Sequence, residues 1–344
     1  MRPVKTRSSF LPFALIALSS IAFGQTPPGL ANLGDDSVGM SPARDWTKIG
    51  VRTWEIRNLE RTHRGGGIEA YNIAYKTGDY SITGFLAQPI VRHDAQGNPE
   101  GLYPAVILNH DGRQGVTRAW REAALEFARR GYVVAASSFR GQQGLEGTSQ
   151  GRFEFAKGEV IDFLQLTQLL RKLDYVDPLR IVVIGEGHGA SVTAAGIGRS
   201  NVFRAAVVIS PTLFSASAEY GYAGLQRLKE VSNDMLGGTI SESSLVRELK
   251  AREAFANIGS LRTPVLVMTT GSDPDLPTTL RWVDTLRAKG VEQQLLRYPS
   301  MFPGFVTATD NGIRPPDWRQ NRDNAWENIF RWVQNYAPAS ASLD

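Results

Sequence analysis

The sequence predicts an α/β protein: a doubly wound, mostly parallel sheet with an antiparallel β extension on its N-terminal side and a helical insert. Three observations lead there. Short, continuous apolar runs recur at 105–108, 133–136, 181–184, 205–209 and 265–268, as expected of strands buried on both faces of a parallel sheet. Helical periodicity falls between the runs, and regular alternation of strand and helix specifies right-handed crossovers. Before the first run, residues 51–90 instead alternate apolar with polar side chains, the rhythm of a half-buried antiparallel sheet.

Taken in order, the chain opens with Arg2, Lys5 and Arg7 ahead of an apolar stretch from Phe10 to Phe23. Small residues at Ala22 and Gly24 place a cut before Gln25, the pattern of a secretory signal peptide over residues 1–24. The competing reading is a membrane anchor. A span needs about 20 apolar residues, and this stretch is shorter and broken by Pro12 and Ser19-Ser20. The expectation is an exported protein, periplasmic or secreted, without an integral membrane segment after cleavage.

Residues 25–100 read as an N-terminal segment leading into a hairpin. Tyr71-Asn72-Ile73-Ala74-Tyr75 and Ile82-Thr83-Gly84-Phe85-Leu86-Ala87 flank the turn Thr77-Gly78-Asp79. Residues 101–344 form the α/β domain. Trp120, Ala123, Ala124, Phe127 and Ala128 mark one helix, stopped at Gly131. Val160, Phe163, Leu164 and Thr167 mark a second, and Ala325, Trp326, Ile329, Phe330 and Val333 a C-terminal one. Residues 213–259 interrupt the alternation and read as a lid or a long helical connection.

Composition narrows the function. The whole chain carries +4, but its first 24 residues hold three basic and no acidic side chains, leaving the remainder at +1. That balance gives no reason to propose nucleic-acid binding. There is no cysteine, so stability comes from the core rather than disulfides.

The stretch Ile181-Val182-Val183-Ile184-Gly185-Glu186-Gly187-His188-Gly189-Ala190-Ser191 reads as a buried strand, a glycine-punctuated turn and a small-residue helix. This is the setting of the nucleophile elbow G-x-S-x-G, but Gly187 stands where the serine belongs. The surrounding segments resemble the prolyl oligopeptidase catalytic domain and the dienelactone-hydrolase-like branch of the α/β-hydrolases. They are Tyr103-Pro104-Ala105-Val106-Ile107-Leu108-Asn109-His110-Asp111-Gly112, Phe139-Arg140-Gly141, Gly158-Glu159-Val160-Ile161-Asp162, Val176-Asp177-Pro178, Gly271-Ser272-Asp273-Pro274 and Tyr298-Pro299. The resemblance covers residues 80–337.

It implies an α/β-hydrolase fold with a Ser, Asp, His triad in that chain order. The acid position matches Asp273, the serine position is Gly187, and Phe302-Pro303-Gly304-Phe305 puts Pro303 at the histidine position. The only histidines, His63, His93, His110 and His188, all precede Asp273, so no triad of that order can be assembled. In the resemblance, His110, Asp111 and Gly112 form the oxyanion-hole turn, and the N–H of His188 completes the hole.

Other residues offer weaker candidates for chemistry. Ser149 lies in a literal G-x-S-x-G, Gly147-Thr148-Ser149-Gln150-Gly151, without a preceding strand. Ser191 sits one helical turn past the elbow, as a packing residue. Glu186 is a conceivable carboxylate nucleophile or base. His110 and His188 could be a metal pair, but no third ligand accompanies them. Without its histidine, Asp273 reads as a turn or helix cap, while Arg140 reads as a cleft residue paired to Glu159 or Asp162. No cofactor is implied.

Loss of a triad serine or histidine costs about 10⁶ in turnover, and an oxyanion hole with binding alone keeps about 10³–10⁴ over water. The expectation is therefore an inactive relative of serine peptidases and esterases. Its cleft would take a peptide, an ester or acyl compound, or a protein partner. The alternatives are an active serine hydrolase with a rearranged site and a purely structural envelope protein.

Overall fold

The computed structural model describes residues 56–215 and 242–339, apart from 257, 274, 310 and 311. The leader candidate at 1–24, and residues 216–241 of the proposed insert, lie outside the described residues.

The first three strands, β1 (Ile56–Gly65), β2 (Ile68–Thr77) and β3 (Tyr80–Pro89), form an antiparallel meander. Thr77 pairs with Tyr80 across the predicted Gly78-Asp79 turn. The alternation then begins with β4 (Tyr103–Asn109), α1 (Arg118–Arg129) and β5 (Val133–Ser138). A small hairpin follows, of β6 (Gln143–Gly144) and β7 (Gly147–Thr148). Next come α2 (Gly158–Arg171), β8 (Val176–Glu186), α3 (His188–Ile197) and β9 (Ala205–Ile209). After α4 (Glu242–Lys250) the chain ends on β10 (Val265–Thr270), α5 (Leu276–Ala288), β11 (Gln293–Tyr298) and α6 (Trp318–Tyr336).

All strands but β6 and β7 join one nine-stranded sheet in the order β1-β2-β3-β5-β4-β8-β9-β10-β11. From β5 to β11 every neighbouring pair is parallel, and β3 joins the meander to β5 antiparallel. The chain lays β5 on one side of β4 and β8 on the other. Strand order therefore reverses at β4, and such a switch point opens a crevice at the carboxyl ends of the strands. The turns after β4 and β8 both empty into it.

The core splits into two layers because successive strand residues point to opposite faces. Val183 joins the layer with Phe163, Leu164, Val192 and Trp282 from α2, α3 and α5. Val182 and Ile184 join the other, with Trp120, Phe127, Ile329 and Val333 from α1 and α6. This is why the central strands read as unbroken apolar runs. All ten residues of α3 are buried. Its small side chains, among them Ala190, Ala194 and Ala195, let it lie close against the sheet and α2.

Candidate functional site

The elbow forms without its nucleophile. β8 ends at Glu186, α3 begins at His188, and Gly187 between them takes φ 56° and ψ −118°. A side-chain-bearing residue reaches such a conformation only with strain of about 1–3 kcal/mol. A Cβ at Gly189 would come within 1.9 Å of the Asn109 carbonyl oxygen, so the first turn of α3 packs directly on the end of β4.

The space above Gly187 is taken by Asp111. A Cβ added at Gly187 would lie 2.0 Å from Asp111 Oδ1. That same oxygen accepts the His188 N–H at 2.9 Å and the Gly112 N–H at 2.7 Å. A side-chain carboxylate thus occupies the root of the absent serine and holds the amide expected to stabilise an oxyanion. Charge-assisted bonds of this kind are roughly twice as strong as neutral ones. Asp111, in the sequence one residue of the expected oxyanion turn, bonds through its side chain to the amide expected to complete that hole.

The three triad positions do converge. Gly187, Asp273 and Pro303 line one cavity of about 240 Å³. Asp273 Oδ2 accepts the Thr270 N–H at 2.8 Å and its carbonyl accepts the Leu276 N–H at 3.2 Å, capping the turn into α5. Pro303 stands in the loop between β11 and α6, and its ring nitrogen, tied up in the peptide bond, cannot take up a proton. A larger cavity, about 400 Å³, lies between α1 and α6 and is lined by neither Gly187 nor Asp273.

Glu186, expected in the cleft, is fully buried and is not among the residues that line the 240 Å³ cavity. Oε1 accepts the Val306 N–H at 3.1 Å, and Oε2 accepts the Thr307 hydroxyl at 2.5 Å. It therefore ties the elbow to the loop that carries Pro303. Burial, more than the neighbouring Asp111 charge, raises its pKa to about 7.

The two histidine rings pack among aromatic side chains, and His188 also lines the 240 Å³ cavity. The His110 ring is fully buried, 4.8 Å from the Phe139 ring, with Nδ1 3.1 Å from the Asp111 carbonyl oxygen. The His188 ring sits among Phe139, Phe153 and Phe155 at 5.8, 4.8 and 5.0 Å. Desolvation lowers His110 to about 4 and His188 to about 3, the latter helped by His110. Both are neutral at neutral pH. Among the described residues no three His, Asp or Glu side chains are grouped to hold a metal ion.

Arg140 corrects the sequence reading: it does not line the cavity. Its guanidinium grips the fully buried Asp162 through Nε at 3.1 Å and Nη2 at 2.7 Å, and reaches Glu154 at 3.0 Å. A buried carboxylate demands this partner. Glu159, the other expected partner, instead accepts the N–H groups of Glu154, Phe155 and Lys157 at 2.6, 3.1 and 3.1 Å.

Both alternative serines are committed. Ser149 Oγ accepts the Thr83 N–H at 2.9 Å and donates to the Ser138 carbonyl, fastening the chain just after β7 to β3 and β5. Ser191 Oγ donates to the Gly187 carbonyl at 3.2 Å and accepts the Thr212 N–H at 3.0 Å. Sequence reasoning missed Arg113, Phe153, Phe155, Ser210, Thr212 and Asp275, which share the cavity wall. Only the Phe153-Glu154-Phe155 pair in a polar loop gave a signal for them.

The chain is similar in sequence and fold to known proteins. The Bacillus subtilis (strain 168) peptidase YtmA, itself uncharacterised, is 24% identical over 205 residues, covering 58% of this chain and 72% of YtmA. YuxL, another uncharacterised peptidase of that organism, is 25% identical over 239 residues, 66% of this chain but 34% of its own length. The chain thus spans about a third of that relative. A Klebsiella pneumoniae protein assigned as a dienelactone hydrolase superposes with a TM-score of 0.54 at 16% identity, over 78% of this chain and 99% of its own. That likeness shows the fold, an α/β-hydrolase fold. The family model described as the prolyl oligopeptidase family matches residues 109–309, more than half of the chain, and the protein belongs to that family.

Proposed function

We propose that this protein is a catalytically inactive member of its family that uses the former active-site cleft for binding. One observation carries the reading: the Asp111 carboxylate stands where a serine side chain would begin and occupies the His188 amide. Acyl transfer needs a nucleophile, a base and free donors for the developing oxyanion. At this elbow the first is Gly187, the second position is Pro303, and the donor is taken. The ligand expected of this family is a peptide or an ester or acyl compound. Export through residues 1–24, cut before Gln25, is part of the same proposal; the intact mass of the protein recovered from its native host checks it.

The decisive experiment is exposure of the folded protein to a fluorophosphonate, followed by intact-mass analysis beside a control hydrolase. No adduct is the expected result. A single stoichiometric adduct would overturn the proposal, and peptide mapping would locate the live serine.

A further inference from the structure

Asp111 does more than block the hole: it reverses the charge the cleft prefers. In a working hydrolase the hole presents N–H donors to a developing negative charge. Here the wall carries the carboxylates of Asp111, Asp273 and Asp275 against a single guanidinium, Arg113. Acidic side chains alone would not make a site, but two buried groups of this wall point to a ligand. His188 is 6% exposed and both its ring nitrogens lack a hydrogen-bond partner; the Ser210 hydroxyl, 7% exposed, lacks one too. Buried polar atoms are ordinarily paired, so unpaired ones on a cavity wall mark partners supplied from the cavity.

Beside their own N–H and O–H, both unpaired groups offer acceptors to an ammonium. A neutral imidazole offers one acceptor nitrogen, and a hydroxyl offers lone pairs. Ser210 also holds φ 49°, and strained backbone of this kind clusters at ligand sites. The aromatic wall fits the same ligand, because Phe153 and Phe155 form one side of the cavity. The Arg113 guanidinium already lies 5.4 Å from the centroid of the Phe153 ring, within cation–π range.

We infer that the cleft binds a small organic cation, a primary ammonium carrying an apolar group, with its charge directed to Asp111 and its apolar part against Phe153 and Phe155. This rests on the reading of the cleft as a binding site and names its ligand class. A volume of 240 Å³ corresponds to roughly eight waters at about 30 Å³ each, hence a ligand on the order of ten non-hydrogen atoms.

The test is calorimetric titration of the full chain with three probes of matched shape: phenethylammonium, 2-phenylethanol and 3-phenylpropionate. Expected is saturable binding of the ammonium with Kd of about 1 mM or tighter, and at least about tenfold tighter than the carboxylate. Asp111→Asn keeps an oxygen for the two amide donors while removing the charge. It is expected to cut the ammonium-to-carboxylate preference about tenfold. Phe153→Leu, which leaves every carboxylate in place, is expected to weaken the ammonium more than the alcohol. No saturable ammonium binding, equal or tighter binding of the carboxylate, or a preference unmoved by Asp111→Asn would overturn the inference. A fluorophosphonate adduct would sink the inactive reading and leave this comparison standing; a carboxylate preference without an adduct would sink the cation inference alone.

Discussion

Restoring a side chain at the elbow is the sharpest perturbation of this site. In Gly187→Ala the new Cβ meets Asp111 Oδ1 at 2.0 Å and its Cγ at 2.3 Å, so the carboxylate must leave. Its departure frees the His188 and Gly112 amides. Unpairing a donor of this kind costs about 1–3 kcal/mol where it is shielded from water, as at the half-buried elbow. The φ of 56° adds strain of about 1–3 kcal/mol for a residue with a Cβ. The sum is about 2–6 kcal/mol, a large part of the roughly 5–15 kcal/mol that holds a domain folded. Asp111→Ala alone loses the same hydrogen bonds but removes the obstacle. The double variant should therefore lose about 1–3 kcal/mol less than the two single losses together. Urea unfolding followed by the fluorescence of the buried Trp120 and Trp282 reads this. A Gly187→Ala cost below about 1 kcal/mol, or full additivity in the cycle, would refute the claim that Asp111 occupies the nucleophile's place.

Other consequences follow from the same contacts. Gly187→Ser should leave hydrolysis of p-nitrophenyl acetate at the level of the parent protein, because Asp111 and Pro303 remain; turnover rising about 10³-fold above it would show a competent base nearby. Glu186, raised from 4.5 to about 7, stays protonated in the folded state while it ionises in the unfolded one. Its contribution is intact below pH 4.5 and is lost as pH rises to 7, so the stability difference between parent and Glu186→Gln should fall by about 3 kcal/mol across that window. Melting curves at pH 4.5, 5.5 and 7 check the sign, and a flat difference refutes it. His110 and His188 act oppositely: both are held below 6.5, so their contribution is present above pH 6.5 and is lost as pH falls toward 3. Arg140→Met strands Asp162 without its partner and should cost about 3–5 kcal/mol in urea unfolding, against under 1 kcal/mol for an ordinary surface pair.

Much of the fold was legible because it rests on local pattern. The apolar runs at 133–136 and 265–268 became central strands, and the spacing of Trp120, Ala124 and Phe127 placed α1. α5, around Trp282, was not seen, since Thr279, Trp282 and Val283 give a weak stripe beside exposed Arg281 and Asp284. The candidate triad positions were read from residue order, which puts every histidine before Asp273, and one cavity gathers Gly187, Asp273 and Pro303. For Arg140 the expected carboxylate pair is present, with Asp162, but its place in the cleft is not, because its type is equally suited to a cleft and to a buried ion pair. Only the bidentate contact with Asp162 chooses between them.

By itself, then, the sequence determined the sheet-and-helix alternation, the family, the glycine in the turn after β8 and the order that puts every histidine before Asp273, since each is written in neighbouring residues or in their order. Tertiary structure decided what took the vacant place. Asp111 and Gly187 are separated by 76 residues in the chain and meet only because β4 and β8 lie side by side. The parallel pairing of β9 and β10 beyond β8 brings Ser210 and Asp275 to the same wall, and the loop before α2 adds Phe153, a convergence of distant loops that no local periodicity encodes.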